Sequence, residues 1–208
     1  MTYCAPAATP QKRGRKYADV LKGAREVFLR DGFEGASVDD IARAAGVSKA
    51  TLYSYFPDKR LLFLEIARTE CARLSEHARE EVDETAPPAE VLRVVAAKIA
   101  GFVTSKLGLG VFRLCVAEGE RFPELGRLYY QSGPMAARGA LVTYLRDANA
   151  RGEVRIDDVE LAADQFCELS RAGFHARQLF GMEGPPDPAQ IARVVDGAVA
   201  MFLARYGA

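Results

Sequence analysis

The chain has 208 residues, and its 28 basic and 28 acidic side chains give a formal net charge of zero. Its composition, 49% hydrophobic and 27% charged, is that of an ordinary globular protein and excludes a disordered, collagen-like or mucin-like chain. No apolar run reaches the roughly 18 residues of a membrane span. The four cysteines lie far apart without metal-finger spacing, so we expect a cytoplasmic protein with reduced thiols and no membrane, metal or cofactor.

The charge is unevenly distributed along the chain. Residues 1–60 carry 11 Lys and Arg against 7 Asp and Glu, a net charge of +4. Residues 61–208 carry the other 17 basic residues against 21 acidic ones, a net charge of −4. The neutrality is a cancellation between two parts of the chain, so it does not exclude a nucleic-acid partner.

Hydrophobic periodicity and capping residues predict four helices in the first part of the chain. The first runs from Tyr17 to a C-terminal cap at Gly32. Ser37 and Ser48 are suited to cap two short helices, and a proline–aspartate pair precedes a long fourth helix. The predicted bounds of the second, third and fourth helices are Val38–Ala45, Lys49–Tyr55 and Asp58–Val82.

Five further helices are predicted in the second part of the chain. Gly108 and Gly110 are expected to end the first of them, and Gly133 with Pro134 to kink or split the third. No segment shows sustained two-residue alternation, so we predict an all-α fold of about nine helices without a sheet. The predicted bounds are Ala89–Lys106, Val111–Glu120, Pro123–Arg151, Asp157–Phe180 and Asp187–Arg205.

The second and third predicted helices are joined by a tight glycine turn and form a helix-turn-helix. In this motif the second helix enters the major groove of DNA. Ala42 is small where the two helices cross, Gly46 permits the turn, and Leu52 faces the core. The outward side chains of the second helix are short, polar and partly basic, namely Ser48, Lys49, Ala50, Thr51, Ser54 and Tyr55.

The whole stretch Tyr17–Phe63 closely resembles, without a gap, the DNA-binding domain of the TetR/AcrR family of transcriptional regulators. A second stretch, Phe112–Leu125, is similar to AefR-type members. We therefore expect a disordered basic arm over 1–16, a helix-turn-helix domain over 17–60, and a helical-bundle domain for ligand binding and dimerisation over 61–208. The first resemblance is carried by Phe28, Gly32, Phe33, Ser37–Ala42, Ala45–Phe56 and Asp58–Leu62.

The resemblance implies a dimeric repressor that releases its DNA operator when it binds a small molecule. It also implies that Ser37 caps its helix against the phosphate backbone and that Lys59 holds another phosphate. Asp39 is expected to repel phosphate, although a carboxylate can accept a hydrogen bond from cytosine N4. The residues implied to face the major groove are Lys49, Ala50 and Thr51, and those implied to donate hydroxyls to phosphates are Tyr53 and Tyr55. Of these two rings, that of Tyr53 is expected to lie against the first helix.

A basic cluster precedes the first predicted helix and consists of Lys12, Arg13, Arg15 and Lys16. A flexible segment of this composition ahead of a helix-turn-helix can lie in the adjacent minor groove, so we predict DNA contacts for Arg13, Arg15 and Lys16. The alternative is a solubilising tail.

The second part of the chain is rich in aromatic residues. Most of them are expected to fill the core, but a subset can line an apolar cavity for an effector. The candidates are Phe102, Phe112, Cys115, Tyr129, Phe166 and Phe174, with His175 as a polar contact. His77 and His175 have no ligand-spaced partners, so neither predicts a metal site.

The last two predicted helices, about 158–180 and 188–205, carry small residues and excess apolar surface, which predicts a homodimer interface. No phosphate loop or nucleophile elbow is present, so the chain is not expected to be an enzyme. We predict a homodimeric repressor released from a pseudo-palindromic operator by an apolar or aromatic effector. Two alternatives are a DNA-binding protein without an effector and a redox-sensing regulator that uses Cys115 or Cys167.

Overall fold

The computed structural model describes residues 14–81 and 85–208, apart from the side chains of 74–81 and 132. Within these ranges the chain is all-α, as predicted, and its one β-type pairing is an isolated bridge between Val154 and Gly207. The described helices are α1 Arg15–Gly35, α2 Val38–Ala45, α3 Lys49–Tyr55, α4 Lys59–Glu81, α5 Pro88–Val103, α6 Lys106–Glu118, α7 Pro123–Ser132, α8 Pro134–Ala150, α9 Val159–Leu169, α10 His175–Leu179 and α11 Pro188–Tyr206.

The chain divides into two compact units, residues 1–66 and 67–208. In the N-terminal unit α1 packs against α2, and the core lies where their apolar faces meet. Val20, Ile41 and Leu52 are almost completely buried there, one from each of the first three helices. Phe28 of α1 meets Phe63 of α4 edge to face, with ring centroids 4.8 Å apart. These contacts hold the helix-turn-helix on a rigid support.

Helix α1 begins two residues before the predicted start. Arg15 and Lys16 are therefore its first two residues, so they belong to a helical turn and not to the disordered arm expected over 1–16. The predicted cap at Gly32 does interrupt the helix, since Gly32 has a φ of +74°. Only glycine adopts the backbone conformation of Gly32 without strain. A further short turn then extends the element to Gly35.

The C-terminal unit has one main core, formed by α5, α8, α9 and α11. Leu92, Leu145 and Phe166 are completely buried in it. The ring of Phe166 meets that of Phe202 on α11 edge to face, at a centroid distance of 5.2 Å. Periodic apolar faces on these helices therefore account for most of the bundle.

The structure confirms one of two predicted boundaries in this unit and contradicts the other. The split at Gly133 and Pro134 is confirmed, because α7 ends and α8 begins there. The prediction that Gly108 and Gly110 end the fifth helix is wrong. That helix ends at Val103, and Ser105 caps α6 by accepting a hydrogen bond from the Gly108 amide at 3.0 Å, which places both glycines inside α6.

The predicted helix Asp157–Phe180 is wrong as a single element. It is divided into α9 and the five-residue α10 by a turn in which Gly173 has a φ of +85°. Apolar residues continue on both sides of the turn, so the hydrophobic pattern does not show the break. The division matters because it directs His175 and Gln178 into the interior of the unit.

None of the described helices is individually long and apolar enough to cross a membrane. Helices α5 and α6 meet such a criterion only as a pair, by length and composition, and they are bent by 65° at the break between them.

Candidate DNA-binding surface and effector site

The turn between α2 and α3 is fixed by its backbone. Gly46 lies in the left-handed region with a φ of +62°, and its amide donates to the Arg43 carbonyl at 3.2 Å. The amide of Val47 then donates to the Ala42 carbonyl at 3.0 Å. This pair of bonds is the usual way to satisfy the last carbonyls of a helix that ends in glycine.

Serine hydroxyls cap both helices of the motif, as predicted. The Ser37 Oγ accepts from the Asp40 amide at 3.0 Å, and its own proton is donated to the Asp40 carboxylate at 2.6 Å. That hydrogen bond lowers the pKa of Asp40, and a second one from Arg43 lowers it further. The Ser48 Oγ accepts from the Thr51 amide at 3.1 Å. Caps of this kind fix where each helix starts and how it leaves the turn.

Helix α3 presents its polar residues to solvent. Ser48, Lys49, Ala50 and Ser54 are exposed, and Thr51 is half-buried. The Ser54 hydroxyl donates to the Thr51 carbonyl at 2.6 Å. The ammonium of Lys49 forms an exposed ion pair with Asp39 of α2. The residues predicted to face the major groove therefore lie on one accessible surface, with Asp39 beside them.

Tyr53 and Tyr55 of α3 lie in the reverse of the expected arrangement. The ring of Tyr53 is 47% exposed and is not the one that packs on α1. It is Tyr55 that meets Tyr17 of α1 edge to face, with centroids 5.6 Å apart, and Tyr17 in turn stacks on Phe56. Residues 53 and 55 are two helical steps, about 200°, apart and lie on nearly opposite sides of α3, so Tyr55 faces α1 and Tyr53 does not, contrary to the expectation.

Lys59, the first residue of α4, is tied to the backbone before α2. Its Nζ donates to the carbonyls of Phe33 at 2.9 Å and Ala36 at 3.1 Å. The same ammonium lies 4.3 Å from the centre of the Phe33 ring. The lysine thus holds the connection from α1 to α2, a structural role that the sequence did not predict.

Arg15 and Lys16 are exposed in the first turn of α1, which contains no acidic residue. Two cations at the positive end of a helix are unfavourable for the helix itself but concentrate positive potential at one place. Lys12 and Arg13 lie outside the described residues.

Gly23 is a residue of this unit that sequence reasoning missed. A β-carbon added there would lie 2.4 Å from the amide nitrogen of Ala45 and 2.7 Å from its Cα. The α1 backbone therefore approaches the end of α2 as closely as only glycine allows. A glycine in the middle of a helical pattern was the available signal.

The effector candidates of the C-terminal unit do not form one cluster. Phe166 is completely buried in the core against Phe202, and Phe102 is half-buried near the end of α5. The ring of Phe112 meets His175 edge to face at 5.4 Å. Phe174, next to His175 in the chain, is also buried. Phe112 and His175 therefore belong to one region around α6 and α10, whereas Phe174 lies in the main core with Phe166.

Cys115 and Tyr129 belong to a second region, together with Cys71 of α4. Burial, with a smaller contribution from the two nearby thiols, raises the pKa of Tyr129 to about 12. The thiols are themselves affected, since burial raises the pKa of Cys71 to about 12 and that of Cys115 to about 11. The thiol of Cys167 on α9 has a pKa raised by burial to about 11.

His175 and Gln178 are the buried residues of α10, and each has one polar atom without a partner among the described residues. The side chain of His77 lies outside the described part. No group of three or more His, Cys, Asp or Glu among the described residues could hold a metal ion.

Helices α9 and α11 share an exposed apolar groove. Leu161 is 50% exposed and Met201 is 62% exposed, unusual values for such large apolar side chains. The groove is lined by Leu161, Asp164, Gln165, Glu168, Leu169, Ala172, Met201, Phe202, Arg205 and Tyr206.

Two capped helices around a left-handed glycine, an exposed polar face on the second helix and a separate helical unit define the class of helix-turn-helix regulators. The family model for bacterial regulatory proteins of the tetR family matches residues 20–66. The model for the C-terminal domain of AefR-like transcriptional repressors matches residues 90–208, more than half of the chain. The chain therefore belongs to the TetR family, with a C-terminal domain of the AefR-like type, and this is a family of transcriptional regulators and not of enzymes.

Solved structures and a curated relative agree with this assignment. A TetR-family regulator from Mesorhizobium loti superposes with a TM-score of 0.79 at 25% identity, covering 95% of this chain and 100% of that one. The flavonoid-responsive regulator FrrA superposes with a TM-score of 0.65 at 34% identity, covering 93% and 98%. The repressor AcnR of Corynebacterium efficiens is 38% identical over 73 residues, which are 35% of this chain and only 39% of that protein.

Proposed function

We propose that the chain is a homodimeric transcriptional repressor that binds a pseudo-palindromic DNA operator and is released by a small apolar or aromatic molecule. The observation that carries the proposal is the exposed face of α3, where hydroxyls and a lysine stand on a helix capped at Ser48 and fixed by the turn at Gly46. A face of this kind fits the donors and acceptors of a major groove. A cytoplasmic location follows, since the operator lies there.

The contacts with DNA divide into two kinds. Lys49, Ala50 and Thr51 would face base edges and set the sequence preference, while Tyr53, Tyr55 and Lys59 would contact phosphates and set the overall affinity. Ser37, Arg15, Lys16 and Arg13 would add contacts beside the groove. The exposure of Tyr53 supports its phosphate contact. Tyr55, whose ring is held against Tyr17, would reach the backbone through its hydroxyl alone.

The apolar groove of α9 and α11 would be the dimer interface. A two-fold pairing of these helices buries Leu161 and Met201, which the single chain leaves exposed. A Leu161→Asp, Met201→Asp double variant should sediment as a monomer at concentrations where the parent chain is a dimer. The matched control is Leu128→Asp on α7, also exposed in the single chain, which should leave the dimer intact.

A small-molecule effector is supported by the similarity to FrrA, whose name describes it as flavonoid-responsive, over nearly the whole chain. Flavonoids are aromatic, and the contact between Phe112 and His175 offers ring surfaces that an aromatic molecule could pack on. Helix α4 begins at Lys59 and continues through the start of the C-terminal unit, so it is the element through which an effector would change the DNA-binding face. The effector must bind the released state more tightly than the DNA-competent one.

The redox alternative is disfavoured by the environment of the thiols. Since burial raises the pKa of Cys71, Cys115 and Cys167, each is almost entirely a neutral thiol near pH 7 and a poor nucleophile. A variant with all four cysteines replaced by serine should bind and release DNA like the parent chain. If that variant bound DNA but was no longer released from it, the result would favour the redox-sensing regulator.

Footprinting on the DNA that flanks the gene of this protein tests the proposal. We expect protection of a pseudo-palindrome with two half-sites in successive major grooves, about 34–36 Å apart. A Lys49→Ala variant should shift the preferred bases, and binding that does not depend on sequence would favour an architectural DNA-binding protein.

A further inference from the structure

Helix α10 brings two unsatisfied polar atoms into the interior of the C-terminal unit. His175 is 7% exposed and Gln178 is 3% exposed, and the two are three residues apart, so they lie on the same face of the helix. The Nε2 of His175 and the Oε1 of Gln178 are buried without a hydrogen-bond partner in the described part of the chain. Such atoms are costly unless another molecule completes their hydrogen bonds.

The chemical character of both atoms follows from their neighbours. The Nδ1 of His175 lies 3.2 Å from the Val103 carbonyl, and because a carbonyl only accepts, Nδ1 carries the proton. Burial lowers the pKa of His175 and the nearby Arg171 guanidinium lowers it further, so the imidazole is neutral near pH 7. The Nε2 atom is therefore a bare acceptor.

Gln178, like His175, has a free hydrogen-bond acceptor and no free donor. Its Nε2 donates to the Gly184 carbonyl at 3.1 Å, which fixes the orientation of the amide and leaves Oε1 as an acceptor. The two residues thus present two acceptors and no free donor. The Phe112 ring against His175 supplies an apolar surface beside them.

We propose that His175 and Gln178 form the polar subsite of the effector pocket and accept hydrogen bonds from a neutral molecule that carries O–H or N–H groups on an aromatic or apolar body. This deepens the effector-response function proposed above and rests on it. Burial of both residues disfavours a charged ligand, and the absence of a donor on either atom disfavours a carboxylate in particular. A hydroxylated aromatic ring satisfies all of these conditions.

The subsite is also connected to α6. The guanidinium of Arg113 donates to the Gln178 carbonyl at 2.6 Å and to the Leu179 carbonyl at 3.2 Å. These bonds attach the end of α10 to α6, so a molecule that displaces α10 would also displace α6. Gly173 and Gly181, which lie on either side of α10, have a left-handed backbone conformation and form turns about which α10 could move.

The test uses the full chain labelled with ¹⁵N-histidine, with phenol as the ligand and anisole as its methylated counterpart. The chain has two histidines, so the His175 resonances are assigned by their loss in a His175→Phe variant. We expect phenol to shift the Nε2 resonance of His175 as that atom accepts a hydrogen bond, and anisole, which has no donor, to leave it in place. No shift at the solubility limit of phenol, or equal shifts with both compounds, would overturn the subsite.

Affinity measurements on variants give a second readout. Gln178→Leu should weaken phenol binding about five- to tenfold, the loss expected for one hydrogen bond, without changing the affinity for anisole. Gln131→Leu on α7, an exposed glutamine, is the matched control and should bind phenol like the parent chain. If Gln178→Leu does not fold, Gln178→Met replaces it. Unchanged phenol affinity in the folded variant would contradict the proposal.

The two proposals fail in distinguishable ways. If the protein protects its operator but phenol does not shift the His175 resonance, the proposed regulator function stands and the proposed subsite is refuted. If phenol shifts the His175 resonance but the protein stays on its DNA when a hydroxylated aromatic molecule binds, the proposed subsite stands and the proposed effector response is refuted.

Discussion

The two units of the chain differ in where their polar groups find partners. On the surface of the N-terminal unit, the hydroxyls of Ser37, Ser48 and Ser54 all make hydrogen bonds to residues three positions away. In the interior of the C-terminal unit, His175 and Gln178 each keep one buried atom unpaired. The polar groups of the first set all have hydrogen-bond partners, and those of the second set do not.

This difference matches the two kinds of recognition proposed for the molecule. DNA is a large, regular partner with a fixed groove, so a surface that is already formed binds it with little reorganisation. A small molecule is recognised by burial, and a few polar atoms in an apolar site decide its chemistry. The preformed hydrogen bonds of the N-terminal unit therefore suit DNA, and the unpaired buried atoms of the C-terminal unit suit a small molecule that completes them.

The largest expected effect is a loss of stability that is confined to the N-terminal unit. Gly23→Ala places a methyl group 2.4 Å from the Ala45 amide nitrogen, so the backbones of α1 and α2 must separate. We expect a loss of about 2 kcal/mol or more in the free energy of unfolding of the N-terminal unit, measured by urea titration, and loss of DNA binding. The control is Gly139→Ala on α8, which meets nothing within 4 Å and should leave the stability of the N-terminal unit unchanged while it adds up to about 1 kcal/mol to that of its own unit. An N-terminal unit that is equally stable in both variants would contradict the close approach.

A second prediction separates two roles of Lys59. If its ammonium also neutralises a phosphate, Lys59→Ala weakens binding to all DNA sequences alike, and the log–log slope of affinity against salt falls by about 0.9 for each lysine in the dimer. The loss of its hydrogen bonds to Phe33 and Ala36 also lowers the free energy of unfolding. A lowered stability with an unchanged salt slope would show that Lys59 is structural only.

A third prediction concerns the cap of α3. Ser48→Ala removes the acceptor for the Thr51 amide, and we expect the free energy of unfolding of the N-terminal unit to fall by about 1 kcal/mol. Ser54→Ala is the matched control, because its hydroxyl bonds only to a carbonyl within the same helix. The two variants are compared by thermal or urea unfolding, and a larger loss for Ser54→Ala would refute the capping role.

The smallest expected effect is that of Asp39→Asn. The change releases Lys49 from its exposed ion pair, which costs well under about 1 kcal/mol in stability. We expect affinity for random duplex DNA to rise about threefold, since the carboxylate no longer holds the ammonium or repels phosphate. Asp31→Asn, in an exposed pair with Arg30 on α1, controls for the change of net charge. An increase of the same size in both variants would assign the effect to net charge alone.

Local signals explain why the sequence predicts one unit better than the other. The bounds of α2 and α3 match the prediction at every residue because Ser37, Gly46 and Ser48 encode them within a few positions. Gly23 and the bonds of Lys59 depend on segments that are distant in sequence, so periodicity does not reveal them. The family resemblance implies a phosphate contact for Lys59 and no role for Gly23, whereas the structure shows the contacts that both residues make within the unit.

In the C-terminal unit the same signals were ambiguous. Ser105 competes with Gly108 and Gly110 as the boundary marker, and the serine determines the start of α6 because it caps the helix. The turn before α10 is marked by Gly173 alone, within a continuous apolar pattern. His175 was predicted as a polar contact, but Gln178 was not, since only the fold shows that its side chain is buried.

Selection of bound DNA from a random pool tests the central claim most directly. We expect the purified full chain to enrich, at low salt, one palindromic sequence whose half-sites are about 34–36 Å apart, and Lys49→Ala to enrich a different sequence. A pool that remains random after repeated selection at low salt would contradict it.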